Sequence, residues 1–112
     1  MNIVTYSTSK ALSEEDSLVV TMDYEIDLIQ RSKRLVSFCI VLVHLIGDKS
    51  IPSVQFDSAH GIVHVHRFYK GEEFVEVLDG YSISKITIQE IRDDVYLNWQ
   101  NYKKWFMNKK GL

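Results

Sequence analysis

Residues 54–69, Val-Gln-Phe-Asp-Ser-Ala-His-Gly-Ile-Val-His-Val-His-Arg-Phe-Tyr, decide the fold. Their flanks alternate with period two, so they read as two strands joined by a tight turn at Ser58-Ala59-His60-Gly61. Gly61 takes positive φ without a steric penalty, and Asp57 and Ser58 can hydrogen-bond to nearby backbone. A loop at 58–61 pairs Gln55 with His64 and Phe56 with Val63. Directly opposed residues share a face. Val54, Phe56, Val63 and Val65 then form an apolar face, and Gln55, Asp57, His64 and His66 form a polar one. A one-residue slip would mix the two sets.

Upstream, residues 35–46 are apolar on both faces and rich in β-branched side chains, which predicts a central strand covered on both sides. A four-residue turn at Gly47-Asp48-Lys49-Ser50 pairs Val41 with Phe56, Val43 with Val54 and His44 with Ser53. His44, Ser53 and His66 then form one row across three strands. His44 and His66 lie about 10 Å apart at the backbone. Phe38, Ile40 and Leu42 join this histidine face. Residues 18–29 alternate as a half-buried antiparallel strand, with Asp23, Glu25 and Asp27 on its polar side. Residues 1–17 read as loop. Downstream, a turn at 70–73 sets a weaker strand, 73–79, beside the histidine strand, with Arg67 opposite Glu76.

The C-terminal segment carries helix signals. Thr87 and Glu90 have capping-box spacing. Ile88, Ile91, Val95, Trp99, Tyr102 and Phe106 recur at steps of three or four, with Trp99 at the centre of that stripe. Lys103, Lys104, Lys109 and Lys110 suit the negative end of the helix dipole. The predicted class is α+β: an antiparallel meander of four or five strands, with one long C-terminal helix packed on the face of Val41, Val43, Val54, Phe56, Val63 and Val65.

The chain has 112 residues, which predicts one domain spanning 1–112. Hydrophobic content of 46% and charged content of 25% are ordinary for a globular protein. A net charge of −2 gives no global pull toward nucleic acid or anionic membrane. The single cysteine, Cys39, excludes an internal disulfide framework and sits in an apolar run, as an inert buried thiol does. No signal peptide is evident, and the run 35–46 is too short to span a bilayer. A cytoplasmic protein without membrane contact is expected.

The histidine face is the candidate site. His64 and His66, two residues apart on a strand, point the same way. With Asp57 and the turn residue His60 they can serve as general acid and base, because imidazole titrates near neutral pH. The His-x-His spacing also suits a divalent metal. The expectation taken here is metal-independent chemistry with no cofactor. His44, Gln55, Phe38, Ile40 and Leu42 complete the surface as substrate- or partner-binding residues. The bland alternative is a non-enzymatic interaction module in which the same face docks a protein partner.

Three stretches carry a resemblance: Gln55-Phe56-Asp57-Ser58-Ala59-His60-Gly61, His64-Val65-His66-Arg67-Phe68 and Ile86-Thr87-Ile88-Gln89-Glu90. With the preceding apolar strand they resemble the TumE-type small toxins of prokaryotic toxin–antitoxin operons. The likeness extends over about residues 34–106, and Ser58 stands where that family has Asn. The resemblance implies a cytosolic toxin acting on RNA and neutralised by a cognate antitoxin, with Asp57, His60, His64 and His66 at the matching positions. A metal-independent endoribonuclease is the activity expected. A second copy of the chain is the other partner considered.

Overall fold

A computed structural model describes residues 2–112. The elements are β1 (Asn2–Ala11), β2 (Asp16–Asp27), β3 (Ser32–Ile46), β4 (Lys49–Asp57), β5 (His64–Arg67), β6 (Val75–Val77) and α1 (Lys85–Lys110). All strand neighbours pair antiparallel in sequence order, giving a six-stranded meander with one long helix. The α+β class thus holds, with six strands instead of four or five. The added strand is β1, in a segment read as loop. Its Ser- and Thr-rich sequence hides it, because an exposed edge strand has no buried face to impose an apolar period.

The helix covers one face of the sheet. Leu18 and Val20 of β2, Phe38, Ile40 and Leu42 of β3, Val54 and Phe56 of β4, and Val63 and Val65 at β5 pack beneath Ile88, Ile91, Val95 and Tyr102. The β4–β5 pairing runs Gln55 to His66 and Phe56 to Val65, with the connection spanning 58–63. That is two residues from the predicted register. A shift of two preserves the faces, so the sorting of Val54, Phe56, Val63 and Val65 from Gln55, Asp57, His64 and His66 holds.

The β3–β4 pairing corrects the prediction. The turn is tighter than expected, with Ile46 opposite Lys49, and a bulge follows between Leu42 and Val43. Val54 lies opposite Leu42, and Phe56 opposite Ile40. This odd shift inverts β3. Phe38, Ile40, Leu42 and His44 turn under the helix and are buried, so none of these four lies on the histidine face. Val41 and Val43, expected in the core, lie on the open face beside Cys39 and are only half-buried. β3 is therefore covered on one side only.

The helix starts one turn earlier than the Thr87–Glu90 spacing suggests. Ser84 is the N-cap, and its Oγ accepts from the Thr87 backbone N–H at 3.2 Å. Thr87 sits inside the first turn. Gly111, at φ 73°, closes the C-terminus in the left-handed conformation that glycine tolerates. Most of the expected stripe is buried, while Trp99 packs against the core only in part. No helix among the described residues is long and apolar enough to cross a membrane.

Phe106 is 1% exposed and stacks over His44 at 6.4 Å. Phe106→Ala is expected to cost about 3–5 kcal/mol, the range for truncating a buried aromatic. Trp99→Ala, at a half-exposed position, is expected to cost less. Denaturant midpoints of the two variants check this order; equal losses would contradict the observed helix rotation.

Candidate functional site

The open face carries a compact cluster. Asp57 ends β4, and His64 and His66 lie on β5, directly opposite Asp57 and Gln55. The His64 Nε2 approaches Asp57 Oδ1 at 2.6 Å, and the His66 Nε2 approaches Asp57 Oδ2 at 3.3 Å. Gln55 Nε2 donates to Asp57 Oδ2 at 3.0 Å, and the Ala59 backbone N–H donates to Oδ1 at 3.2 Å. These two donors fix the carboxylate plane. His64 Nδ1 donates to the Ile62 carbonyl at 2.9 Å, since a carbonyl oxygen can only accept. His66 is held edge-on to His64 at 5.1 Å and stacked on Phe68 at 6.1 Å. Both imidazoles remain partly exposed, at 14% and 25% of the side chain, so an incoming group can reach them.

The structure brings Asp57, His64, His66 and Gln55 together as the sequence predicts. His60 stands apart. It is exposed in the turn, at φ 60°, a left-handed conformation uncommon outside glycine. The predicted row of His44, Ser53 and His66 does not form, because His44 and Ser53 lie across the sheet from His66. Around the cluster the open face offers Val41, Val43 and Cys39 on β3. Val75 and Val77 on β6 lie opposite His66 and His64 and are exposed. Burial, then the charges of Asp57 and Asp23, raise the Cys39 thiol to about 11. It stays protonated near neutrality and is a poor nucleophile.

A second Asp–His pair, missed by the sequence reading, lies under the helix. Asp16 Oδ1 accepts from His44 Nδ1 at 2.7 Å, and His44 Nε2 accepts from the Ser53 hydroxyl at 2.7 Å. Ser13 and Lys103 also donate to Asp16. Serine hydrolases use this carboxylate–imidazole–hydroxyl order. Here all three groups are at most 2% exposed, so no substrate reaches Ser53. The network satisfies buried polar atoms and ties the β1–β2 turn to the β3–β4 bulge. His44 was detectable: it shares strand parity with Phe38, Ile40 and Leu42. Asp16 was not, because it falls in a charge run read as loop.

Arg67 also lies on the helix side. Its Nε is 3.4 Å from Glu76 Oε1, and it donates to the Tyr69 hydroxyl at 2.9 Å, consistent with the ion-pair role expected of it. An open cleft of about 640 Å³ adjoins it, walled by Tyr69, Tyr102, Trp105, Asp94 and Glu76. Arg67 and Lys70 are offset there by two carboxylates, which leaves no net charge to select an ion.

The chain matches no protein-family model, no curated protein and no solved structure in these comparisons.

The buried network predicts a pH dependence. Burial lowers the His44 pKa below 6.5, and the Asp16 contact only partly opposes this. Burial alone would raise Asp16, but hydrogen bonds from Ser13, His44 and Lys103 outweigh it and hold the carboxyl below 3.8. Both folded-state values are depressed, so the unfolded chain binds protons more readily. The His44 contribution to stability is complete above about pH 6.5 and falls on acidification below it; the Asp16 contribution falls further below about pH 3.8. Denaturant midpoints at pH 7.5 and 5.5 are expected to drop for the wild type. His44→Gln should be less stable at pH 7.5 and show a flatter difference. A wild type more stable at pH 5.5 would contradict the neutral imidazole.

Proposed function

We propose that this chain is the toxin-like member of a toxin–antitoxin pair, and that Asp57, His64 and His66 form its RNA-cleaving centre. One observation carries the reading: a carboxylate held between two reachable imidazoles, on the face of the sheet that the helix leaves bare. Cleavage of RNA at its own ribose needs the 2′-OH proton withdrawn and the leaving 5′-oxygen stabilised on opposite sides of one phosphorus. Two rings 5.1 Å apart are spaced to act on one phosphodiester. The strands hold them there. The Ile62 carbonyl holds His64 at Nδ1, so the ring orientation is set before substrate arrives and only Nε2 need exchange its contact with Asp57.

The surroundings support a partner on the same face. Val19, Val41 and Val43 are partly exposed there, and Val75 and Val77 are exposed. An antitoxin covering these valines would bury apolar area and block the cluster in one step.

The test is production of the chain in cells, with total RNA integrity and growth as readouts. The His64→Ala, His66→Ala double variant is expected to lose about 10²–10⁴-fold of the cleavage rate. Its melting temperature is expected to fall, because buried Asp57 keeps only the Gln55 and Ala59 donors, so cleavage is compared at a temperature where both proteins are folded. Wild-type chain that leaves RNA intact and growth unchanged would defeat the reading, as would a double variant that cleaves normally.

A further inference from the structure

We propose that Asp57, His64 and His66 bind a first-row divalent metal ion of the zinc class. This rests on the reading above only for what the ion faces, and it replaces the acid–base roles given there to His64 and His66, whose Nε2 atoms would hold the ion. It departs from the metal-independent chemistry that the sequence suggested.

Three ligand atoms converge on one point. His64 Nε2 lies 2.6 Å from one oxygen of the Asp57 carboxylate, and His66 Nε2 lies 3.3 Å from the other. The Ile62 carbonyl accepts from His64 Nδ1, which turns Nε2 toward the carboxylate. A cation placed between the three residues would meet a donor atom from each.

The geometry suits an ion. One ligand atom from each of the three residues lies within 4.8 Å of the others. Zinc–nitrogen and zinc–oxygen bonds of about 2.0–2.2 Å in a tetrahedron separate neighbouring ligand atoms by roughly 3.3 Å. The His66–Asp57 distance is 3.3 Å, and the His64–Asp57 contact, now 2.6 Å, would have to open by about 0.7 Å. The outer contacts fit as well. Ligating imidazoles commonly donate their other N–H to a backbone carbonyl, as His64 does, and ligating carboxylates are themselves hydrogen-bonded, as Asp57 is by Gln55 and Ala59. Two imidazoles and one carboxylate favour zinc-class ions over magnesium or calcium. Three protein ligands at a partly exposed site leave positions for water or substrate, the pattern of a reactive centre.

Charge gives the site a reason to exist. The open-face positions around the cluster are Cys39, Val41, Gln55, Val75 and Val77, with no Lys or Arg among them. A phosphodiester approaching the cluster would meet the Asp57 carboxylate with no lysine or arginine among these neighbours. A divalent ion reverses the local sign and can take a phosphate oxygen in an open position.

The experiment uses full-length protein stripped with chelator and then titrated with Zn²⁺ by calorimetry and with Co²⁺ by visible absorption. One equivalent per chain is expected, with Co²⁺ bands of a low-coordinate nitrogen–oxygen site. Asp57→Asn, His64→Ala and His66→Ala should each weaken binding at least tenfold, while His60→Ala, in the exposed turn, should leave it unchanged. Circular dichroism confirms that each variant is folded, and Gln55→Ala, which keeps all three ligands, gives a milder loss if any variant is not. Absence of saturable binding near one equivalent would overturn the proposal, as would equal affinity in the His60 and His64 variants. Metal binding without RNA cleavage would leave this site standing and defeat the RNA reading. RNA cleavage unaffected by chelator, without metal binding, would do the reverse.

Discussion

Ser53 donates to His44 across the β3–β4 bulge, and the assignment of residues to faces depends on that irregularity. The turn at Gly47-Asp48 pairs Ile46 with Lys49. Continued without a bulge, this register would set Val41 opposite Val54 and Cys39 opposite Phe56. Phe56 would then share a face with Cys39, while Leu42 and Ile40 packed on the other. The extra residue restores Leu42 to Val54 and Ile40 to Phe56. It also turns both Ser53 and Val54 inward, where both are fully buried. A buried serine hydroxyl needs a partner, and His44 supplies it. Asp16 then satisfies the other ring nitrogen, and Lys103 of α1 reaches Asp16 at 3.0 Å. A local mismatch between turn and core is thus absorbed by a polar network that also ties down the helix.

How much was legible follows from parity. The faces of β4 and β5 survived a wrong loop length because the error was two residues, and even shifts leave side chains where they were. The β3 error was odd and inverted every residue. Nothing in the apolar run 35–46 reveals it by pattern, since Phe38, Ile40 and Leu42 alternate with Cys39, Val41 and Val43. Side-chain size gives a hint: the larger residues point into the core. His44 gives another, because a lone polar residue in phase with them must be satisfied inside. The N-terminal strand stayed hidden for a different reason. β1 is held by backbone pairing to β2 and by contacts such as Thr5 with Asp23 and Lys10 over the Tyr96 ring, which leave no hydrophobic period.

The candidate site was legible where its residues are close in sequence and on strands of known parity. Asp57, Gln55, His64 and His66 fall together because the alternation and the His-x-His spacing fix their parity, which a loop two residues longer than expected leaves unchanged. His44 did not join them, and Phe38, Ile40 and Leu42 proved to be core. Their place as the apolar part of the open face is taken by Val19, Val41, Val43, Val75 and Val77, smaller residues that leave a shallower surface.

The two Asp–His pairs show how burial sets what the same groups can do. Asp16 and His44 lie in the core, where Ser13, Ser53 and Lys103 complete their hydrogen bonds and no solute enters. Their chemistry is spent on holding strands and helix in register. Asp57 and His64 lie across the sheet at a similar separation, but with a second imidazole at the other carboxylate oxygen and a path to solvent. The first pair is complete as a proton-sharing unit: each ring nitrogen has one partner of the right kind. The second is open: His64 presents Nδ1 to a carbonyl and Nε2 to the Asp57 carboxylate, and solvent reaches both imidazoles. Access to solvent thus separates the two pairs, and the open one sits on the face that a single helix cannot cover.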